Sequence, residues 1–231
     1  MRVEFLQTGS RGNCSIITDE KGNRIVVDCG LKFDNIITRL GGVQKTNVLI
    51  THFHKDHALC AEDFKRFLVP IYCKDDAENT SSVLLKHGRN FAIDDVWVVT
   101  PVFAPHGDTT STVYLIRNIA EKKTILWATD CQSIPVKIPG EELDLAALEC
   151  NWDSDILYTI DNPSNLHSGY KNHMELRDLC DFLEKKSIVA KKIAIIHTSN
   201  SGLINEAKAQ KEISKYANDV RVCKKNVVID F

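Results

Sequence analysis

The sequence of 231 residues lacks any apolar run that approaches the length of a membrane-spanning helix, which needs roughly 20 residues. It also lacks an export signal, because the short apolar stretch at residues 1–6 contains charged side chains and leads into a glycine turn, a pattern that predicts a first strand. No repeat, low-complexity tract or linker rich in Pro, Gly or Ser divides the chain. These absences exclude a helical membrane protein and predict one cytoplasmic domain over residues 1–231.

Paired cysteine motifs and a strong net charge are also missing. The eight cysteines include no CxxC pair and lie mostly in apolar segments, where a free thiol behaves as a small buried hydrophobe. Reduced cysteines are therefore favoured over a disulfide framework. The net charge is -2 and the pI about 6.4, so the surface as a whole is not expected to attract nucleic acid. A local phosphate site stays possible, because two divalent ions would concentrate positive charge there.

Apolar segments of strand length alternate with amphipathic helical segments. Strands are predicted at residues 3–7, 14–18, 24–28, 47–50, 71–73, 96–104, 112–117, 124–128, 145–149 and 192–196, followed by two closing strands. Helices are predicted at residues 33–40, 58–67, 173–185 and 205–216, with another opened by Asp75 and Asp76. This order predicts an α/β fold with two sheets packed face to face and helices outside. Ligand sites in such folds gather at the carboxyl ends of strands.

A cluster of polar side chains follows the apolar strand at residues 47–50. His52, His54, Asp56 and His57 fall within six residues. In extended backbone, residues two apart face the same way, so His52 and His54 can reach one ion. Asp56 and His57 begin the next element and can reach a second ion. This donor set suits Zn, and also Fe or Mn. The alternative is a surface loop of solvated histidines, but three histidines at a strand end have no packing role there.

Three later residues also stand directly after apolar strands. They are His106, Asp130 and His197. Each of them alone is more often a surface or hydrogen-bonding residue than a metal ligand. With the histidine cluster they make seven candidates, the number that a carboxylate-bridged centre of two metal ions needs.

The order of these motifs, which starts at Asp28 and ends at His197, resembles the metallo-β-lactamase superfamily across nearly the whole chain. The resemblance implies a four-layer αββα sandwich of two mixed sheets. It implies two sets of metal ligands, with His52, His54 and His106 on one ion and Asp56, His57 and His197 on the other. Asp130 would bridge the two ions, and Asp28 would orient a ligand histidine.

Other segments resemble particular branches of this superfamily. Residues 8–15 (TGSRGNCS) and 25–31 (IVVDCGL) are similar to the start of phosphodiesterase-like members, above all a small bacterial branch of 5′-to-3′ DNA exonucleases. Residues 148–153 (LECNWD) resemble that branch's LExNHD, with Trp152 where the branch has His. Trp152 is either a packing replacement or a stacking face for a base.

A general acid is implied by the same resemblance. Residues 172–175 resemble the GHLS turn of the exonuclease branch but keep only its histidine, His173. In the ribonuclease Z branch, a histidine at a similar place acts as the general acid, and His173 is its candidate counterpart. The alternatives are a solvated His173 that caps the following helix, or His167 in the same role.

The resemblance therefore implies a hydrolase that depends on two divalent metal ions, with Zn favoured and Mn or Fe as alternatives. Cleavage of DNA or RNA phosphodiester bonds by a metal-activated hydroxide is the favoured reaction, with Asp56, Asp130 and His173 as the catalytic residues. The rival interpretations are a hydrolase of a cyclic nucleotide, thioester or lactone, and an inert metal-binding protein.

Two further features bear on the substrate. The turn at residues 10–13 and the segment at residues 198–202 are rich in hydroxyl and amide groups that favour an anion, although a solvated loop explains each equally well. The lysine pairs at residues 185–186 and 191–192 could help to bind nucleic acid, but a charged solvent-facing surface is the simpler interpretation.

Overall fold

The strand segments of this sequence form two β-sheets in a computed structural model that describes residues 1–74, 82–136, 142–159, 168–186 and 188–231. The first sheet contains β1 (Arg2–Gln7), β2 (Cys14–Thr18), β3 (Arg24–Val27), β4 (Thr46–Leu49), β5 (Ile71–Cys73), β6 (Val83–Leu84) and β14 (Lys225–Asp230). The second contains β7 (Phe91–Ile93), β8 (Trp97–His106), β9 (Thr109–Asn118), β10 (Lys123–Ala128), β11 (Leu143–Glu149), β12 (Ala190–Ile196) and β13 (Ala217–Val222).

Each sheet mixes parallel and antiparallel pairs. Within the described ranges the first sheet has the order β14-β1-β2-β3-β4-β5-β6, and the second has the order β13-β12-β11-β10-β9-β8-β7. Strands β3 and β4 are parallel in the first sheet, as are β10, β11 and β12 in the second. In each sheet the carboxyl ends of these parallel strands therefore lie at one edge, which is where a ligand site is expected.

Six short α-helices lie in the described ranges. They are α1 (Phe33–Leu40), α2 (Lys55–Ala58), α3 (Ala61–Arg66), α4 (Ser154–Leu157), α5 (Leu176–Lys185) and α6 (Glu206–Ile213), and a 3₁₀ turn at Ser168–Asn172 precedes α5. Asn205 begins α6 by accepting the backbone N–H of Lys208 with its side chain, which satisfies one of the free donors at a helix start. No helix in the described ranges is long and apolar enough to cross a membrane.

The core has three apolar layers. Between the sheets, side chains such as Phe5, Trp127 and Leu145 are almost fully buried. One outer layer joins the first sheet to α1 and α3, and the other joins the second sheet to α5 and α6. These layers produce the helix–sheet–sheet–helix arrangement that the sequence predicts. All eight cysteines are free, and all but Cys180 are buried.

Most predicted elements are confirmed within two residues of their observed ends. The helix predicted at residues 58–67 is observed as α3 (Ala61–Arg66), which is separated from α2 because the Cys60 N–H donates to the carbonyl of Cys29. The helix predicted from residue 173 begins at Leu176. Strands β6 and β7 and helix α4 were not predicted, since two to four residues are too few for a periodic signal. The helix predicted at Asp75 and Asp76 lies outside the described residues.

Candidate metal centre

The predicted ligand residues lie at the carboxyl ends of strands from both sheets. Asp28 follows β3, the cluster from His52 to His57 follows β4, His106 ends β8, Asp130 follows β10, and His197 follows β12. Three of these residues, Asp28, Asp130 and His197, have left-handed backbone conformations with φ of 58°, 49° and 50°. Such conformations are uncommon for residues other than glycine and concentrate at functional sites. Here they turn the chain sharply as it leaves each strand.

The first ligand group consists of His52, His54 and His106, whose ring nitrogens lie within 4.8 Å of one another. The Nε2 atom of His52 is 2.9 Å from Nδ1 of His54. His106 donates from Nδ1 to the carbonyl of Asn172 at 3.0 Å, which leaves Nε2 as its free lone pair. Burial and the neighbouring histidines lower the pKa of His52 to about 2, so its imidazole is neutral, the form that binds a metal ion.

The second ligand group consists of Asp56, His57, Asp130 and His197, again with ligand atoms within 4.8 Å. Asp130 Oδ1 lies 3.3 Å from Nε2 of both His57 and His197. Its other oxygen, Oδ2, lies 3.8 Å from Nε2 of His106, which belongs to the first group. Asp130 therefore stands between the two groups with one carboxylate oxygen toward each, the arrangement that a bridging ligand requires.

Two observations indicate that these residues can bind divalent metal ions. Nε2 of His197 is buried and makes no hydrogen bond, an arrangement that costs free energy unless a further partner binds there. Asp28 holds Nδ1 of His57 at 2.7 Å, so Nε2 is the ring atom directed at Asp56 and Asp130, 3.6 and 3.3 Å away. Imidazole nitrogens combined with carboxylates are the donors that Zn, Mn and Fe prefer.

Asp28 supports the second group without joining it. Its Oδ2 accepts from His57 Nδ1 at 2.7 Å, and its Oδ1 accepts the backbone N–H of Thr51 at 2.8 Å. The Thr51 hydroxyl lies within 3.0 Å of both carboxylate oxygens. Asp28 thus sets the orientation of the His57 ring and ties the ends of β3 and β4 together.

Replacing Asp28 by Ala is expected to weaken metal binding by roughly 10- to 100-fold, because supporting partners of ligand histidines typically have effects of that size. Metal affinity can be measured by competition with a chromophoric chelator. Asp19→Ala is the matched control, since Asp19 is also buried and accepts bonds from Lys21 and Asn23 in a turn away from the centre. Equal losses of affinity in both variants would contradict this role for Asp28.

Glu149 is a functional candidate to which the sequence analysis gave no role. It is completely buried at the end of β11. Its Oε1 accepts from Nδ1 of His173 at 2.5 Å and lies 3.2 Å from Nδ1 of His197, while Oε2 accepts the Cys131 N–H. Its position directly at a strand end is the signal that identified Asp130 and His197, so the same criterion could have found it.

His173 lies beside the metal ligands, between the 3₁₀ turn and α5. Its ring stacks on that of His197 at 5.0 Å, and Nδ1 is 3.9 Å from Asp130 Oδ2. Burial lowers the pKa of His173, but Glu149 and Asp130 outweigh that effect and raise it to about 9. The alternative of a solvated helix cap is wrong, because Glu175 occupies the N-cap position. His167 lies outside the described residues.

Trp152 and Asn151 hold this region in place. The Trp152 indole donates to the carbonyl of His173 at 3.0 Å and packs edge-on against Tyr170, with ring centres 5.0 Å apart. This favours the packing interpretation of Trp152 over that of a free stacking face. The Asn151 amide donates to the carbonyl of His197 at 2.9 Å. Both residues thus fix the backbone of a histidine at the centre.

The two polar loops meet beside the centre, whereas the lysine pairs do not. Asn200 donates to the Ser10 hydroxyl at 3.4 Å, which joins the two loops. Lys191 and Lys192 lie at the opposite end of β12 from His197, roughly 17–20 Å away at the rise of a strand. Lys191 pairs with Asp144, Lys192 with Asp219, and Lys185 with Asp181. These ion pairs agree with a charged solvent-facing surface.

Comparisons with known proteins agree with this fold. Residues 8–78 match the sequence profile of the metallo-beta-lactamase superfamily. Among solved structures, the chain is similar to the metallo-beta-lactamase fold protein YhfI from Bacillus subtilis, with a TM-score of 0.73 and 18% identity over 99% of this chain and 98% of that chain. No curated protein sequence matches at a significant level.

Two further solved structures have similar folds. A diphosphatase from the PhnP family has a TM-score of 0.70 and 16% identity, covering 100% of this chain and 97% of that chain. The short form of human tRNase Z has a TM-score of 0.65 and 14% identity, covering 100% of this chain and 99% of that chain. The predicted αββα sandwich is confirmed, and at these identities the structural likeness extends to the fold alone.

Proposed function

We propose that this chain, which has the metallo-β-lactamase fold and matches that superfamily's profile over residues 8–78, is a metal-dependent phosphodiesterase that cleaves DNA or RNA. The observation that carries the proposal is the position of Asp130. It faces two groups of metal ligands, and His173 lies 3.9 Å from its Oδ2. A paired metal centre beside a protonated histidine supplies the two parts that diester hydrolysis needs, charge stabilisation and proton donation.

Two divalent ions, with Zn favoured, would be held by His52, His54 and His106 and by Asp56, His57 and His197, with Asp130 between them. When bound, such ions act as Lewis acids toward the phosphoryl oxygens and activate the attacking water. Asp56 is partly exposed and accepts a contact from Asn13 at 3.4 Å, so it can orient that water from the solvent side.

His173 is the proton donor in this proposal. Its Nδ1 is engaged with Glu149, so Nε2 is the atom that can give a proton to the leaving oxygen. Glu149 and Asp130 keep the pKa of His173 at about 9 despite its burial, and the ring is therefore protonated at neutral pH. A positioned acid of this kind typically contributes about 10²- to 10⁴-fold to the rate.

Nucleic acid is the favoured substrate because the centre opens to solvent on one side. His54 and its neighbours Phe53 and Lys55 are exposed, so an extended strand can approach the metal ligands there. The similarity of residues 8–15 and 25–31 to 5′-to-3′ DNA exonucleases supports the same substrate class. The diphosphatase and tRNase Z with this fold are consistent with chemistry at phosphorus.

A second candidate is a hydrolase of a small substrate such as a cyclic nucleotide, a thioester or a lactone. The net charge of -2 and the pairing of Lys185, Lys191 and Lys192 with carboxylates favour it. Salt separates the candidates, because polymer binding weakens steeply as salt rises, whereas binding of a small ester depends on it less.

The test is to load the protein with Zn, Mn or Fe(II), count the ions bound, and assay several substrate classes. These are bis(p-nitrophenyl) phosphate, end-labelled DNA and RNA, a cyclic nucleotide, a thioester and a lactone. We expect about two ions per chain and cleavage of the diesters, with nucleic-acid cleavage falling as salt rises. A metal-loaded protein that hydrolyses only the thioester or lactone would overturn the phosphodiesterase assignment. Inertness toward every ester would instead support a metal-binding protein without catalysis.

A further inference from the structure

A small cavity opens beside the candidate metal centre. Its volume is about 170 Å³, and its walls include Ser10, Tyr170, His173, Ser199, Asn200 and Ser201. Ligand pockets for drug-sized molecules measure about 300–1,000 Å³, so this cavity, which opens to solvent, can hold one unit of a substrate but not an extended strand. The loops that carry Ser10 and Asn200 come from opposite ends of the chain and are joined by the hydrogen bond between these two residues.

Among the described residues, most side chains of the lining are polar and none is a lysine or arginine, although Lys171 Nζ lies 6.0 Å from the centre of the Tyr170 ring. The lining includes hydroxyls from four residues of the two loops, the amides of Asn151 and Asn200, and the phenol of Tyr170. Hydroxyl and amide groups both donate and accept hydrogen bonds, which matches the hydroxyls of a sugar and the polar edge of a base. A phosphate group would call for several cationic partners, whereas His173, the cationic side chain of the described lining, is already paired through Nδ1 with Glu149. The hydroxyl and amide groups therefore favour a hydroxyl-bearing occupant here over the anion expected from the sequence.

The cavity lies on one particular side of the centre. His173 and His197 line it, whereas His52, His54 and His106 do not. A group seated there has its nearest phosphoester oxygen beside the proton donor. That oxygen is the one that departs, because the group that receives the proton of a general acid is the leaving group.

Tyr170 adds an aromatic wall to this side. Its ring is half-buried and is held edge-on by Trp152, which also binds the carbonyl of His173. The wall and the proton donor are thus fixed by one indole. Aromatic rings in nucleic-acid proteins stack on bases of any sequence.

From these contacts we infer that the cavity binds the leaving nucleoside of a phosphodiester substrate, with Tyr170 as its stacking wall and Asn200 and Ser10 as its hydrogen-bonding partners. The inference rests on the proposed function and specifies its substrate. In the reaction, the oxygen of water bonds to phosphorus and gives up one proton to the solvent, while the bond from phosphorus to the nucleoside oxygen breaks. That oxygen keeps the electron pair and takes a proton from His173, so the products are a phosphate monoester and a nucleoside end with a free hydroxyl.

Binding of a product nucleoside tests the cavity without requiring catalysis. Thymidine and uridine are titrated into the metal-loaded protein and followed by ligand-observed NMR, with wild type, Tyr170→Ala and Asn200→Ala. We expect both nucleosides to bind the wild type and Tyr170→Ala to weaken them about tenfold, the size of a lost aromatic stack. Tyr158→Ala is the matched control, because Tyr158 is 84% exposed and lies outside the cavity lining.

Hydrolysis of a dinucleoside phosphate then shows whether Tyr170 binds the nucleoside or only supports the position of His173. Tyr170→Ala is expected to raise KM about tenfold with a smaller change in kcat. A loss confined to kcat would overturn the inference, because it would show that Tyr170 acts only through Trp152 on the proton donor. Absence of nucleoside binding to the wild type would overturn it as well. Nucleoside binding without hydrolysis of any diester would sink the proposed function and leave the cavity assignment standing.

Discussion

Replacing Asp130 by Asn is expected to lower diester hydrolysis by about a thousandfold or more, since Lewis-acid stabilisation by the metal ions is worth several kcal/mol. Asp130 is buried and holds one carboxylate oxygen toward His57 and His197 and the other toward His106. An amide keeps the shape but removes the negative charge and one acceptor. The two ligand groups then lose their common partner.

Metal content and activity should fall together in this variant. Elemental analysis after dialysis is expected to find fewer ions bound to Asp130→Asn than to the wild type. Asp144→Asn is the matched control, because Asp144 is equally buried but pairs with Lys123 and Lys191. Asp144 lies at the start of β11, whereas Glu149 beside the metal centre lies at the end of that strand. That control is expected to lose some stability and to keep its metal. Full metal content and full activity in Asp130→Asn would show that Asp130 does not bridge the centre.

Replacing His173 by Ala is expected to have an effect that depends on the leaving group. For a dinucleoside phosphate, whose leaving alkoxide is strongly basic, kcat should fall about 10²- to 10⁴-fold. For bis(p-nitrophenyl) phosphate the loss should be much smaller, because p-nitrophenolate leaves without needing a proton. Comparing the two substrates therefore separates proton donation from general damage to the site.

His87→Ala is the control for the His173 variant, since His87 is exposed and hydrogen-bonds only the backbone of Phe103 among the contacts of the described residues. The His87→Ala variant should hydrolyse both substrates at nearly the wild-type rate. Equal losses on both substrates in His173→Ala would contradict the role of a general acid and indicate that His173 supports the metal ligands instead.

The Glu149→Gln variant tests the pairing of Glu149 with His173 through the pH dependence of activity. Burial lowers the pKa of His173, and the carboxylates of Glu149 and Asp130 raise it to about 9. Without the charge of Glu149, only Asp130 of these two carboxylates counteracts the effect of burial. The pKa of His173 should therefore fall. Activity that needs protonated His173 would then decline at a lower pH on the alkaline side of the profile. An unchanged alkaline limb with reduced activity would mean that Glu149 has only a structural role.

The sequence alone predicted the fold class, which is confirmed, and placed the candidate metal ligands at strand ends. Strand periodicity and the polar residues that follow each strand are local features, and parallel strands within one sheet bring their carboxyl ends to one edge. Asp130 and His197 could therefore be placed at one edge, whereas the motif order of the resemblance joined them to His52 in the other sheet. The helix break at Cys60 could not be found this way, because its cause is a hydrogen bond to distant Cys29.

The resemblance implied that Asp130 lies between two ligand groups, and the tertiary structure supplied the distances of that arrangement. Only the tertiary structure showed that the packing buries Glu149 against His173, with no signal in the spacing of the two residues. The packing also joins the loop at Ser10 to the loop at Asn200, which creates the cavity beside the proton donor. Sequence spacing determines which side chains reach the edge of a sheet. Distances of a few ångströms between different strands and loops depend on how the whole core packs.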